Sequence, residues 1–179
     1  MKNMSLAAIA GALVFALPAL ADTTPPTGTP SAEQQCHTER AQMGVDTFRQ
    51  TYGTNKNHHN AFAKCVSKRT DATDQNESEA HSNAAEECKT LQGDHGNAFG
   101  KCVSQHAQEQ TADATRQDIQ ADVNAAKGCK AERKADPAAF ATKYGTNKNH
   151  RNAFGKCVSQ RAKAQQDQQD EQDQESGTS

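Results

Sequence analysis

Apolar residues are thinly spread along this chain, and where they gather they do so at one spacing. Phe62, Cys65 and Val66 fall at i, i+3 and i+4, as do Phe99, Cys102 and Val103, and again Phe154, Cys157 and Val158. That spacing places each trio on one face of an α-helix. The cysteine sits in the middle of the only apolar stripe such a helix has. Phe48 and Tyr52 are four apart, as are Phe140 and Tyr144, so each pair shares a helix face. The pattern predicts short helices over residues 46–52 and 137–144. Each is followed by a polar loop, Gly-Thr-Asn-Lys-Asn, and then by one of the cysteine-bearing helices.

The pattern repeats because the sequence repeats. Residues 52–69 and 144–161 are identical at 15 of 18 positions, differing only at 59/151, 63/155 and 68/160. Residues 97–104, NAFGKCVS, are a third copy of the core. Before each core lies an earlier cysteine in a polar, alanine-rich context: SAEQQC at 31–36, NAAEEC at 83–88 and NAAKGC at 124–129. The two cysteines of each copy are 29, 14 and 28 residues apart, so the middle copy lacks a segment that the outer ones carry. Self-similarity of this kind signals a repeat architecture.

Start and stop signals support helices throughout. Ser31-x-x-Gln34 and Asn83-x-x-Glu86 resemble capping boxes. Asp136-Pro137 puts a capping acid before a proline at the first helical position. Asn60, Asn97 and Asn152 are candidate N-caps. Gly53 and Gly145, just after the tyrosines, stand where a helix can end in a left-handed residue. No glycine or proline interrupts residues 60–92 or 101–127. The trailing helix of one copy can therefore run on into the leading helix of the next and give a rod. Residues 70–78 are weak in helix formers, and a break there is equally credible.

Composition makes this a chain with little to hold it together. Residues 1–21 carry Lys2, an uncharged apolar run over residues 5–17 and Ala19-Leu20-Ala21, the three-part pattern of a secretory signal peptide. The apolar run is short for a membrane span of about 20 residues, and an uncleaved anchor is the alternative. No second apolar segment follows, so the mature chain is expected to be soluble, with no membrane span. Removing those 21 of 179 residues leaves 158 and moves the net charge from −2 to −3. That charge is too mild to imply nucleic acid or another strongly charged partner. The 158 residues hold only one leucine (Leu91), one isoleucine (Ile119), five valines and five phenylalanines. Such a set is too small to offset the ordering entropy of one large globule, about 1–2 kcal/mol per residue for backbone alone.

The six cysteines are the candidate staple. An even number behind a signal peptide points to an oxidising compartment and disulfides. Two antiparallel helices joined at the turn-like residues 92–96 would bring Cys88 and Cys102 face to face. By the same logic Cys36 pairs with Cys65 and Cys129 with Cys157. Buried free thiols and bridges between copies are the alternatives. A thiol-redox catalyst would more often show Cys-x-x-Cys, which is absent.

Candidate chemistry centres on the repeated loop. Lys56, His58 and His59, with Lys148, His150 and Arg151, could line an anion or glycan site near a helix start. Equally, asparagines, a threonine and a glycine are what a tight loop and a helix cap require. His58, His59 and His150 are weak candidates for copper or zinc, since close Cys or His pairs with zinc spacing are lacking. No Gly-x-Ser-x-Gly, phosphate loop or His-Glu-x-x-His occurs, so no catalytic residue is assigned and no cofactor is expected. Lys64, Lys68 and Arg69, like Lys156, Arg161 and Lys163, make the trailing helix basic on one side and read as a solvated face.

Residues 129–160, CKAERKADPAAFATKYGTNKNHRNAFGKCVSQ, resemble a motif of short, secreted, alanine-rich bacterial proteins with no assigned function. The resemblance covers all three copies and rests most on Asn-Ala-Phe-Gly-Lys-Cys-Val-Ser. It implies no activity and carries over no functional residue.

The expectation is an all-α chain of three disulfide-stapled helical hairpins in an elongated arrangement. After the signal peptide (1–21) come a disordered arm (22–30), repeat 1 (31–71), a connector (72–82), a shortened repeat 2 (83–106) and a second connector (107–123). Repeat 3 (124–164) and a glutamine- and acid-rich tail (165–179) follow; the tail reads as solvated disorder, with a frayed helical extension as the alternative. The expected role is a secreted, extracellular or periplasmic, non-catalytic binding or structural module. Its partner would be a glycan or protein of the envelope or exterior. A secreted metal-binding protein is the runner-up, and a small secreted enzyme comes third.

Overall fold

A computed structural model describes residues 28–91 and 97–176. The expected signal peptide, most of the arm, the turn at 92–96 and the last three residues lie outside the described residues. Within them the chain is all-helical: α1 (Ala32–Met43), α2 (Val45–Tyr52), α3 (Ala61–Glu87), α4 (Ala98–Ala135), α5 (Pro137–Tyr144) and α6 (Ala153–Ser176). A 3₁₀ turn, Cys88–Leu91, continues α3.

The helix starts divide into two kinds. Ser31 forms a full capping box on α1: its Oγ accepts from Gln34 N, and Gln34 Oε1 accepts from Ser31 N at 3.0 Å. Asp136 Oδ1 caps α5 by accepting from the amides of Ala138 and Ala139, with Pro137 at the first position. The capping box expected at Asn83 is not formed, because Asn83 lies inside α3, where no free first-turn amides need a cap. Asn60 and Asn97 begin α3 and α4 without a side-chain bond to the helix. Gly53 and Gly145 do not end α2 and α5 in the left-handed region; their φ values are −71° and −75°. The left-handed residues are His58 and His150, at φ 53° and 52°, and Gly44 at 82°. Gly53 is required by crowding instead, since a Cβ there would lie 2.5 Å from both Arg49 O and His58 Cβ.

Both connectors are helical, and the copies pack against one another. α3 and α4 run antiparallel and pack along their lengths, and α4 packs equally against α6. α1 lies on α3 and α4, while α2 touches both α3 and α6. The first and third copies thus sit side by side across α4. The feared break at residues 70–78 is absent because neighbours hold that segment: Gln35 Nε2 donates to Thr73 Oγ1 at 3.2 Å, and Asn76 Nδ2 to Asp118 Oδ2 at 3.1 Å. Backbone helix also reaches Ser176, so the tail's first residues take the helical alternative, started by a packed helix that needs no new nucleus.

Disulfides join Cys36 to Cys65, Cys88 to Cys102 and Cys129 to Cys157. Each outer bridge is the centre of a small aromatic core. Phe48 and Tyr52 stack beside Cys36–Cys65, with Phe62 and Val66 against them. Phe140, Tyr144 and Phe154 do the same beside Cys129–Cys157. Met43 packs against both clusters and links them. Beyond them α3 and α4 meet through Ala80, Ala84 and Ala107, a contact with little apolar area to bury. In such a structure each bridge stabilises by about 3 kcal/mol through restriction of the unfolded chain.

Candidate functional site

The loops between α2 and α3 (residues 53–60) and between α5 and α6 (145–152) are built alike. Asn60 Oδ1 accepts from Thr54 N at 3.1 Å, and Asn60 Nδ2 donates to Thr54 Oγ1 at 2.8 Å. Asn152 makes the same two bonds with Thr146. His58 Nδ1 lies 2.8 Å from Gly53 O, and His150 Nδ1 lies 3.2 Å from Gly145 O. A carbonyl oxygen only accepts, so Nδ1 carries the proton in both rings. The asparagines and these two histidines therefore hold the loops in shape.

What the loops expose is different. Because α2 packs on α6, the first loop faces the start of α6 across a cleft of about 520 Å³. Lys56, Arg151 and Lys156 line it, together with the amides of Gln50, Asn55, Asn147 and Asn149. A recess of about 410 Å³ shares Gln50, Lys56, His58 and Arg151 with the cleft and adds Arg133 and Phe154. Among the described residues no carboxylate lines either one. The Arg133 guanidinium lies 4.7 Å from the Phe154 ring centre and donates from Nη1 to Gln50 Oε1 at 2.5 Å. By contrast a larger groove, about 690 Å³ between α3, α4 and α6, mixes Lys64, Lys68 and Lys163 with Asp71, Glu79, Asp118 and Asp167.

The close approach that makes the cleft depends on one residue. A Cβ at Gly155 would lie 2.8 Å from Thr51 O, so α6 can meet the end of α2 only with glycine there. The first copy has Ala63 at this position, and Ala63 is exposed. Of the six candidate ligand residues, Lys56, His58 and Arg151 meet at the cleft. His59 points to another pocket, beside Arg40 and Phe62. Lys148 is exposed, and His150 braces its own loop. Sequence reasoning missed Gln50, Arg133 and Lys156, which enter only through the packing of the first copy on the third. Among the described residues no three His, Cys, Asp or Glu side chains converge as metal ligands.

A second constellation also went unread. Arg69, taken in sequence as part of a solvated basic face, is fully buried, and so is Glu39 beside it. Arg69 Nη2 donates to Glu39 Oε2 at 2.9 Å and to Asp122 Oδ2 at 2.6 Å. Tyr52 hydroxyl donates to Glu39 Oε1 and lies 3.1 Å from Asp122 Oδ2. Lys68 reaches the same Asp122 oxygen at 2.6 Å. The third copy places Glu132, Tyr144 and Arg161 equivalently: Arg161 Nη2 donates to Glu132 Oε2 at 2.5 Å, and Tyr144 hydroxyl lies 3.0 Å from it. The signal was available, because both outer copies carry Glu three residues after the leading cysteine and Arg four after the trailing one. The middle copy has Leu91 and His106 there.

Burial pushes the Glu39 carboxyl above the usual carboxylate value, although Arg69 opposes it. Burial likewise raises the Tyr52 hydroxyl. For Arg69, burial works against the charge, but Tyr52, Glu39 and Asp122 outweigh it and its pKa is raised. Glu132 moves the other way, down to about 2, chiefly through the hydrogen bond from Lys143, with Arg161 and Tyr144 adding to it. Glu39 Oε2 also lies 3.7 Å from Cys65 Sγ.

The fold and these sites define an all-helical, disulfide-bonded protein with a cationic, amide-lined cleft. Compared with protein-family models, curated proteins and solved structures, the chain matches none.

Proposed function

We propose that this chain is a secreted, non-catalytic binding module, working outside the cell or at its envelope, that holds an acidic glycan in the cleft between its two repeated loops. The observation that carries the reading is the lining itself: Lys56, Arg151 and Lys156, with Arg133 beside them, and no carboxylate among the described residues. In a protein of net charge −2 such local segregation is not a consequence of composition. Guanidinium and ammonium groups bind carboxylate or sulfate through charge-assisted hydrogen bonds. The amides of Gln50, Asn55, Asn147 and Asn149 offer both donors and acceptors to sugar hydroxyls. Three disulfides fit an oxidising compartment. Among the described residues no helix is long and apolar enough to cross a membrane.

In this reading the chain is three disulfide-held helical hairpins. The first and third carry the loops, and the shortened middle one spaces them. The test is calorimetric titration of the exported protein with polygalacturonate, and with dextran as the neutral control. Polygalacturonate is expected to bind, more weakly at high salt, and to lose binding in the Lys56→Gln, Arg151→Gln double variant. Equal binding of dextran, or binding unchanged in the double variant, would overturn the reading.

A further inference from the structure

The aromatic and basic surface that carries Arg133 and Phe154 in the third copy has a counterpart in the first. Phe62 stands where Phe154 stands, and Arg40 where Arg133 stands, four residues after the leading cysteine. In the third copy the chain itself supplies the occupant: the side-chain carbonyl of Gln50 rests on the Arg133 guanidinium, which lies over the Phe154 ring. In the first copy, among the described residues, no segment from another copy arrives. The pocket there, about 280 Å³, is lined only by residues between 40 and 62.

The chemistry of that pocket is specific. Phe48, Phe62 and Ala61 line it with apolar surface, and so does Val45, which is 42% exposed although large and apolar. Arg40 and Arg49 supply two guanidinium groups, His58 and His59 complete the lining, and among the described residues no carboxylate lines it. A second copy of this chain cannot seat there as the first copy seats on the third. Ala63 replaces the glycine whose Cβ would strike Thr51 O at 2.8 Å. The third copy's equivalent of Gln50 is Thr142, which lacks the amide.

From these observations we infer that the Arg40–Phe62 pocket is a second binding site, distinct from the cleft, and that it takes a small aromatic carboxylate. The carboxylate would sit on Arg40 and Arg49, where two guanidinium groups favour a paired anion. The ring would lie on Val45 and on the part of Phe62 that the His37 ring, 4.8 Å from it, leaves uncovered. The volume suits one ring rather than several.

The test is NMR titration of the exported protein with benzoate, following the Val45 methyl and Phe62 ring signals. Saturating shifts are expected, with a dissociation constant of about 1–10 mM for so small a ligand. Removing the charge–charge contact should weaken binding at least about tenfold, whether by Arg40→Gln, by Arg49→Gln or by using benzyl alcohol. Acetate, which lacks the ring, should bind too weakly to saturate. Arg40 and Arg49 are exposed, so these variants should keep the wild-type helicity. Arg133→Gln should leave benzoate binding unchanged. Shifts that stay linear in benzoate, that acetate reproduces, or that survive Arg40→Gln would overturn the inference.

Discussion

The two Glu–Tyr–Arg clusters are made of the same residues at the same offsets from their cysteines, yet their electrostatics are opposite. Around Glu39 the cluster is sealed, because α4 lies over it and adds Asp122; Glu39 and Arg69 are 0% and 1% exposed. Around Glu132 it opens to solvent, with Glu132 26% and Arg161 42% exposed, and Lys143 replaces a second acid. Burial dominates in the first and raises the Glu39 pKa; hydrogen bonding dominates in the second and lowers that of Glu132. A repeated sequence thus yields two different devices, and position relative to α4 decides which. The same asymmetry makes the cleft: α6 meets the end of α2 at Gly155, while the equivalent Ala63 on α3 stays exposed.

The comparison breaks most sharply at the two arginines. Arg69→Met leaves two buried carboxylates with Lys68, at Asp122, as the one cation beside them among the described residues, and should cost about 3–5 kcal/mol. Arg161→Met removes a solvent-exposed pair and should cost less than about 1 kcal/mol. Urea unfolding of both variants checks this, and equal costs would show that burial does not separate the clusters.

Gly155→Ala comes next. The added methyl meets backbone at Thr51, not a movable side chain, so a cost of about 1–3 kcal/mol is expected, as for other overpacked contacts. Loss of polygalacturonate binding should accompany it. The reciprocal change, Ala63→Gly, should cost only about 0.5–1 kcal/mol, the helix-propensity penalty.

Acid titration gives the smallest and most diagnostic difference. The Glu132 pKa is depressed, so its contribution is present above the usual value of 4.5 and is lost as pH falls from there to about 2. The Glu39 pKa is raised, so the folded state holds that proton more tightly than the unfolded chain. Its contribution to stability therefore falls as pH rises from 4.5 through the raised pKa. Glu132→Gln should flatten the acid limb of the stability profile, and Glu39→Gln should leave that limb intact. Carboxyl NMR titration reads both groups directly.

Sequence made the helical class and the cysteine-bearing stripes legible because both are local: an i, i+3, i+4 trio states its own face. The capping box at Ser31 and the cap at Asp136 are legible for the same reason. Asn83 misleads because it has the look of a helix start, and only the continuity of α3 removes the need for one. Packing between copies is not local. Nothing in residues 31–71 says that Asp122, from a connector, will close over Arg69. Of the cleft, Lys56, His58 and Arg151 were legible as polar loop residues, but Gln50, Arg133 and Lys156 become neighbours only once α2 lies on α6. The Gly155/Ala63 difference that permits this was visible as a substitution without a direction.

All of these contrasts require the outer copies to be held covalently, since the apolar core around each is a few aromatic and alanine side chains. Urea unfolding of the disulfide-bonded protein, followed by far-UV circular dichroism before and after full reduction and alkylation, tests that most directly. With three bridges contributing about 3 kcal/mol each, the alkylated protein should lose its cooperative transition and most of its helix in buffer alone. An unchanged midpoint and unchanged helicity after alkylation would contradict the account.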